Sequence, residues 1–470
     1  MSTIVAAHPS SRERKARGKS ARTGMPRSAH GEWAPAAGRF DPVAMLEEQA
    51  GERVPSLVPL RYGRMSRSPF AFFRGGAYLM AADLANGPDS GLEVQLCGDA
   101  HLSNFGGFAG PDRRFLFDLN DFDETLAGPF EWDVKRLAAS LEVAGRQQGF
   151  APKARRRIVS HSVRAYRETM RRLAGMGNLE VWYERLEFDR AFAQLESRLD
   201  AKTLRRAQSN REKARSKDSL RALSKLTTVV DGEHRIVSDP PLIVSASELL
   251  AQNGTSHEEL DDRVRQLLSA YRRTLSGELR RLFDGYRYVD LARKVVGVGS
   301  VGTRAWVVLL MGRDTRDPLF LQVKEAQRSV LEPFTRRSPF RNQGQRVVEG
   351  QRLMQAAGDI LLGWIRAPGP DGRERDFYVR QLWDEKGSAI VEAMNVPTCD
   401  LYGQICGATL ARAHARSGDR VAIAAYLGRG ETFDDALAAF AEAYADQSEG
   451  DHAALLRAIA EGRVTAQAEE

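Results

Sequence analysis

Two regions of the chain concentrate residue types that handle phosphate, metal and hydroxyl chemistry. The first opens with Gly98-Asp99-Ala100-His101-Leu102-Ser103-Asn104-Phe105-Gly106 and continues with Phe117-Asp118-Leu119-Asn120-Asp121-Phe122-Asp123-Glu124. Both are polar loops that leave short apolar strands, an arrangement that puts Asp99, Asn104 and Asp121 within reach of one another. Carboxylates and an amide oxygen are hard donors, the kind Mg²⁺ takes together with substrate phosphates. A carboxylate beside such an ion can also accept a hydroxyl proton. A lone Asp or Asn caps a turn as a matter of routine. The clustering of D-x-H-x-x-N with a later D-F-D is what points to a site. His101, inside the first pattern, either meets a substrate phosphate or braces the loop.

The second region is Gly297-Val298-Gly299-Ser300-Val301-Gly302. A dinucleotide-binding loop of this spacing must open a helix, whose N-terminus meets the pyrophosphate. Here the glycines lead instead into Thr303-Arg304-Ala305-Trp306-Val307-Val308-Leu309-Leu310, a β-type run, so they sit at a hairpin turn. An ordinary Gly-rich hairpin is the plain alternative. One hairpin later, Leu319 to Val323 forms an apolar strand that ends at Lys324. The helical stretch Gln345 to Ala357 then carries Glu349 as its only carboxylate. Glu349 is either the partner that positions Lys324 or a surface charge.

These motifs resemble the protein-kinase-like superfamily, most closely its aminoglycoside, choline and homoserine kinase branch. The resemblance implies ATP and Mg²⁺ as cofactors. Asp99 would be the catalytic base, with His101 beside it, and Asn104 and Asp121 would hold Mg²⁺. Asp123 and Glu124 are extra acids that could serve a second metal. Asp118 competes with Asp121 for the principal ligand role. Gly297, Gly299, Ser300 and Gly302 would cover the nucleotide phosphates, with Lys324 and Glu349 as the lysine–glutamate pair. Asp133 matches the residue that braces the catalytic loop through its backbone. Cys97 departs from the pattern, standing where those kinases often place His. The strand Phe377 to Trp383 would meet adenine. The order of the parts is inverted, because the base and metal residues precede the glycine loop and lysine. The resemblance therefore implies a circularly permuted kinase fold, and Ala408 to His414 is similar to the helix that ordinarily precedes the catalytic loop.

From about residue 40 the chain also resembles an uncharacterised bacterial family, domain of unknown function 2252. The matching segments are Met65 to Gly75, Gly98 to Gly106, Tyr378 to Leu382 and Ala411 to Asp419. That likeness names no substrate. Arg74, in the first of these segments, either meets a phosphate or closes a helix. His414 and Asp419 read as capping and pairing residues.

The elements that position these residues are set by periodicity. Strands are expected at 92–97, 115–119 and 377–383, a strand and turn at 227–239, and consecutive antiparallel strands over 295–322. Helical spacing of apolar residues covers about 131–177, two or three segments up to 226, 249–282, 345–357, and 401 onward. The predicted architecture is α+β. Residues 1–40 form a basic disordered tail, and 41–289 a mainly helical lobe with the catalytic and metal loops. Residues 290–390 form a small α+β nucleotide lobe, and 391–470 are helices packing on the large lobe.

Composition sets the outer limits. In 470 residues, 42% hydrophobic and 28% charged, there is length for a sizeable core and no sign of a rod, a collagen or a wholly disordered chain. No apolar run reaches the roughly 20 residues of a membrane helix, and Cys97, Cys399 and Cys406 make no disulfide framework or zinc pair. A cytoplasmic location is expected. Most of the formal net charge of +7 sits in residues 1–40, with eight Arg/Lys against two acids. Nucleic acid could contact that tail through counterion release, but a solvated leader is the simpler reading. The reading favoured is phosphotransfer from ATP to a hydroxyl of an unidentified small-molecule acceptor, with AMP transfer left open. The alternatives are an ATP-binding pseudokinase and a metal-dependent hydrolase built on Asp99, His101, Asp121 and Asp123.

Overall fold

The helix Phe130–Gln147 is buried on all sides from Phe130 to Gly145, so it forms the axis of a helical core rather than a surface element. Its buried acids are engaged. Glu131 accepts the Ser90 backbone N–H at 2.6 Å and its hydroxyl at 2.9 Å, and Glu142 pairs with Arg146 and Arg155. Around it pack Pro152–Ala174, Val396–Ser417, Arg420–Leu427 and Thr432–Ala460. This computed structural model describes residues 9–187, 205, 208, 212, 219–240, 242–246, 248, 256–295, 301–369, 372–382 and 387–467. The expected helix at about 204–225 lies mostly outside them, as do Gly297, Gly299 and Ser300.

Beside the helical body stands a six-stranded antiparallel sheet among the described residues. Its order is Gly363–Pro368, Glu374–Gln381, Pro318–Glu325, Ala305–Met311, Arg287–Lys294 and Ile243–Ser245. The unbroken apolar run Ala305–Met311 is explained by burial of both faces. Val308 and Leu310 join Leu319, Leu321, Tyr271 and Phe283 on one side. Val307, Leu309 and Met311 meet Phe320, Ala222, Leu223 and Leu226 on the other. Alternate side chains of one strand point to opposite faces, so each side needs its own cover. The helix Gln343–Met354 links Pro318–Glu325 to Gly363–Pro368.

The expected boundary at residue 290 is too late. Ser219–Leu226, His257–Arg272 and Gly277–Phe283 pack on the sheet, and Ile243–Ser245 is its edge strand. An amphipathic stripe tells that a helix is covered but not by which neighbour.

The basic segment is corrected as well. From Ser10 onward it is folded, as the helix Ser11–Gly24 with a Ser10–Glu13 capping box. Four of its arginines, Arg14, Arg22, Arg27 and Arg39, have fixed partners. Arg22 donates to the carbonyls of Ala425 and Tyr426, Arg27 donates to that of Leu427 at 2.8 Å, and Arg14 meets Asp419 at 2.8 Å. The carbonyls are the orphans at the end of Arg420–Leu427, which side-chain donors satisfy. Arg39 then bridges Asp83 and Asp451 at 2.6 and 2.7 Å in a buried setting. Among the described residues no helix is long and apolar enough to cross a membrane.

Candidate functional site

Strand Glu93–Leu96 leads into the loop 98–104, and strands Phe105–Ala109 and Phe115–Leu119 form the hairpin that separates it from Asp121. The loop is anchored from below. Asp133, in the first turn of Phe130–Gln147, accepts the N–H groups of Cys97 at 2.8 Å and Gly98 at 3.1 Å, and lies 3.2 Å from His414 Nε2. Within the loop, Asn104 Nδ2 donates to the Asp99 carbonyl at 2.6 Å. The Asn104 carbonyl accepts the Asn120 N–H at 2.8 Å. That last bond ties the two polar loops together and sets Asn104 next to Asp121.

Asp99 is held on one side. Its Oδ1 accepts from Arg136 Nε at 2.8 Å and lies 2.8 Å from Nη2 in the same ion pair, and its Oδ2 lies 3.7 Å from His101 Nε2. Burial pushes its pKa up to about 6 against the lowering pull of Arg136, and neighbouring Asp121 adds to the rise. His101 is 4% exposed, and its Nδ1 accepts the Ser103 N–H at 3.1 Å. Burial, reinforced by Arg74 and Arg136, drives its pKa far below the ordinary value, so the ring is neutral and carries its proton on Nε2, facing Asp99.

The two competing acids divide cleanly. Asp118 is buried in an ion pair with Arg412 and also accepts the Leu119 N–H at 2.9 Å, so it is a structural group. Asp121 accepts a 3.2 Å bond from the Asp123 N–H and lies near Asp99, Lys324 and Arg380.

Lys324, 3% exposed, is paired with Asp123, whose other oxygen accepts the Tyr378 hydroxyl at 2.8 Å. Burial is the largest single influence and works against the ammonium, but Asp123, Tyr378 and Asp121 together hold the lysine pKa above its ordinary value. Two expectations are corrected here. Asp123 is engaged by Lys324 and Tyr378 rather than open to a metal. Glu349 is not the partner of Lys324; it is 36% exposed and pairs with Arg352 at 3.2 Å. The inward face of Gln343–Met354 is set by Arg346, Val347 and Gly350, which turns Glu349 outward. The helix contributes Arg346 instead. That guanidinium is 1% exposed and donates to the carbonyls of Thr125, Asp123 and Gln327 at 2.7–2.8 Å. Glu124 accepts the Val330 N–H at 2.8 Å, and burial raises its pKa to about 7.

Of the glycine loop, Gly297, Gly299 and Ser300 lie outside the described residues. Gly302 has φ +89°, which favours glycine, and its carbonyl accepts the Val54 N–H at 2.8 Å. Arg53 Nη1 donates to the Val301 carbonyl at 2.6 Å, and Val301 packs on Leu57 and Leu60. The segment 53–60 therefore fastens the end of the loop.

Among the described residues no three His, Cys, Asp or Glu side chains converge as a metal cage. Asn104 and Asp121 carry hard oxygen donors on two loops tied by the Asn104–Asn120 backbone bond. Arg136 and Arg346 were not among the residues the sequence singled out, and Tyr378 was placed on a strand without the Asp123 contact it makes. Arg136 carried a signal, being a cation three residues after Asp133 and so on the same helical face.

No curated protein and no solved structure matches the chain. A family model does, over residues 53–458, a span that includes Asp99, Asn104, Asp121, Asp123, Lys324 and the helices that hold them. The chain thus belongs to a family of uncharacterized proteins conserved in bacteria (DUF2252).

Proposed function

We propose that this protein is an ATP-dependent phosphotransferase with a circularly permuted protein-kinase-like fold, acting on a hydroxyl of a small-molecule acceptor. The observation that carries the proposal is the charged chain Lys324–Asp123, with Asp121 two residues away and Asp99 beside it. A buried lysine kept charged at the edge of a carboxylate loop is equipped to hold phosphates.

The sheet supports this reading. Five strands run in the order Gly363–Pro368, Glu374–Gln381, Pro318–Glu325, Ala305–Met311, Arg287–Lys294, and a helix connects the third of these to the first. A glycine turn, a strand ending at a lysine and a following helix occur in the succession the resemblance implies for a nucleotide lobe. Permutation is supported at a junction. The Gln95 N–H donates to Ser417 Oγ at 3.1 Å, and a Cβ on Gly418 would lie 2.5 Å from Val94 Cγ1. The end of Val396–Ser417 thus meets the strand that leads to Asp99, where an unpermuted chain would run straight on.

Mg²⁺-ATP, when bound, supplies the electrophilic phosphoryl group and much of its charge neutralisation. Lys324 and the loop ending at Gly302 would hold its phosphates, and Asn104 and Asp121 the metal. Asp99, ionised at neutral pH, would orient the acceptor hydroxyl and take its proton. Arg136 fixes one carboxylate oxygen and leaves the other toward His101. Catalysis of this kind rests on positioning and electrostatics. The hydrolase reading is disfavoured because it needs Asp123 as a ligand, and both Asp123 oxygens are engaged.

The test is ³¹P spectroscopy of Mg²⁺-ATP incubated with the enzyme and small molecules extracted from bacteria. ADP together with a new phosphoester is expected, abolished by Asp99→Asn. AMP and pyrophosphate would assign AMP transfer instead, and no turnover of ATP would count against an active enzyme.

A further inference from the structure

Near Asp99 stands a further cation whose inner nitrogen the protein leaves without a partner. Arg74 lies in the last turn of Pro69–Gly75, half-buried, and its Nε is enclosed with no hydrogen-bond partner. The preceding residue fixes its place. The Phe73 carbonyl accepts Arg136 Nη2 at 2.7 Å, the Phe73 ring lies 4.0 Å from the same guanidinium, and Arg136 is the group that clasps Asp99. Arg74 accordingly lies in the field of both Asp99 and His101. Arg64 adds positive charge there, and the exposed Glu392 is the other acid that reaches it. The charges dominant at Lys324 are instead Asp123, Tyr378, Asp121 and Arg380, with Arg74 absent from them.

A guanidinium nitrogen held out of water without a partner is costly, and this side chain is the one best shaped to take two oxygens of a carboxylate or phosphate. Asp99 cannot fill that role while Arg136 holds it and a hydroxyl must reach it.

Resting on the phosphotransferase reading, we propose that Arg74 binds an anionic group, phosphate or carboxylate, on the acceptor molecule. The acceptor is then an anionic alcohol, its charged end at Arg74 and its hydroxyl at Asp99. A neutral or cationic alcohol would leave Arg74 Nε without an acceptor, which sets the selectivity of the site.

The experiment uses the full chain saturated with Mg²⁺ and a non-hydrolysable ATP analogue, so that the donor phosphate site is filled. Inorganic phosphate, glycerol 2-phosphate, glycerate and glycerol are titrated by calorimetry into wild type, Arg74→Ala and Arg74→Gln. Melting curves identify any variant that fails to fold, and the other variant then carries the comparison. The proposal expects saturable binding of at least one anion and none of glycerol. It expects at least a tenfold loss of that binding in the variants, with analogue affinity unchanged. Preference for the phosphates or for glycerate identifies which anion Arg74 takes. The proposal is overturned if no anion binds wild type, if anion binding survives the Arg74 changes, or if those changes weaken the analogue, which would put Arg74 on the donor phosphates. Failure of the analogue to bind wild type would instead remove the phosphotransferase reading, and this inference with it.

Discussion

Lys324 and Asp123 stand 201 positions apart in the chain and form one buried ion pair, completed by the Tyr378 hydroxyl on the second carboxylate oxygen. The pair joins the sheet to the loop beyond Asp121, so the two halves of the site are fixed to each other by charge. Removing one member leaves the other uncompensated. Lys324→Met or Asp123→Asn alone should destabilise the fold by about 3 kcal/mol, while the double change should restore part of that loss. Chemical denaturation of the three variants checks this, and additive effects would show that the two residues do not act as a unit.

Asp99 must be ionised to accept a proton, and burial raises its pKa to about 6. Turnover should therefore fall as pH drops below about 6, approaching tenfold per unit, and level off above it. Arg136→Lys removes a guanidinium that favours the charged form, so the limb should move to higher pH. The pH profile of kcat/KM for wild type and this variant is the measurement.

Glu124 has a folded-state pKa of about 7 against an ordinary value near 4.5. The fold therefore binds this proton more tightly than the unfolded chain does. The stability it contributes is complete below about pH 4.5 and is lost as pH rises through about 7. Glu124→Gln keeps an oxygen for the Val330 N–H and has no proton to lose. The Tm of the variant minus that of wild type should rise from about pH 4.5 to pH 7 and level off above it, and a flat difference across that window would contradict the assignment.

Arg39 neutralises two acids at once, Asp83 and Asp451, whose side chains are 3% and 5% exposed. Arg39→Ala should cost about 3–5 kcal/mol, because two buried carboxylates then face each other unpaired. Denaturant unfolding gives the value. A loss below about 1 kcal/mol, the range of an exposed pair, would mean that residues 9–40 do not dock as described.

Much of the site was legible because it is local. The hairpin of Phe105–Ala109 and Phe115–Leu119 lies between the two polar loops, so spacing alone brought Asn104 near Asp121. The turn at Asp231-Gly232 was likewise readable from its residue types, with Asp231 at φ +51°. Harder to read was the partner of a distant charge. Glu349 sat at a plausible helical position, yet the face of that helix was decided by Arg346 and Gly350 against residues more than 200 positions earlier. The N-terminal arginines misled for the same reason. Counted as charge they suggest disorder, but Arg22 and Arg27 cap the helix Arg420–Leu427 about 400 positions away. Asp118 and Asp121 could not be ranked until Arg412 was seen to claim the former.

The central claim is that Lys324 and Asp121 belong to one nucleotide site, and calorimetric titration of Mg²⁺-ATP into the purified protein tests it most directly. The account predicts saturable binding to wild type, weakened at least tenfold by both Lys324→Ala and Asp121→Asn, with Asp99→Asn binding as wild type does. Absence of ATP binding to folded wild-type protein, or binding indifferent to both changes, would contradict it.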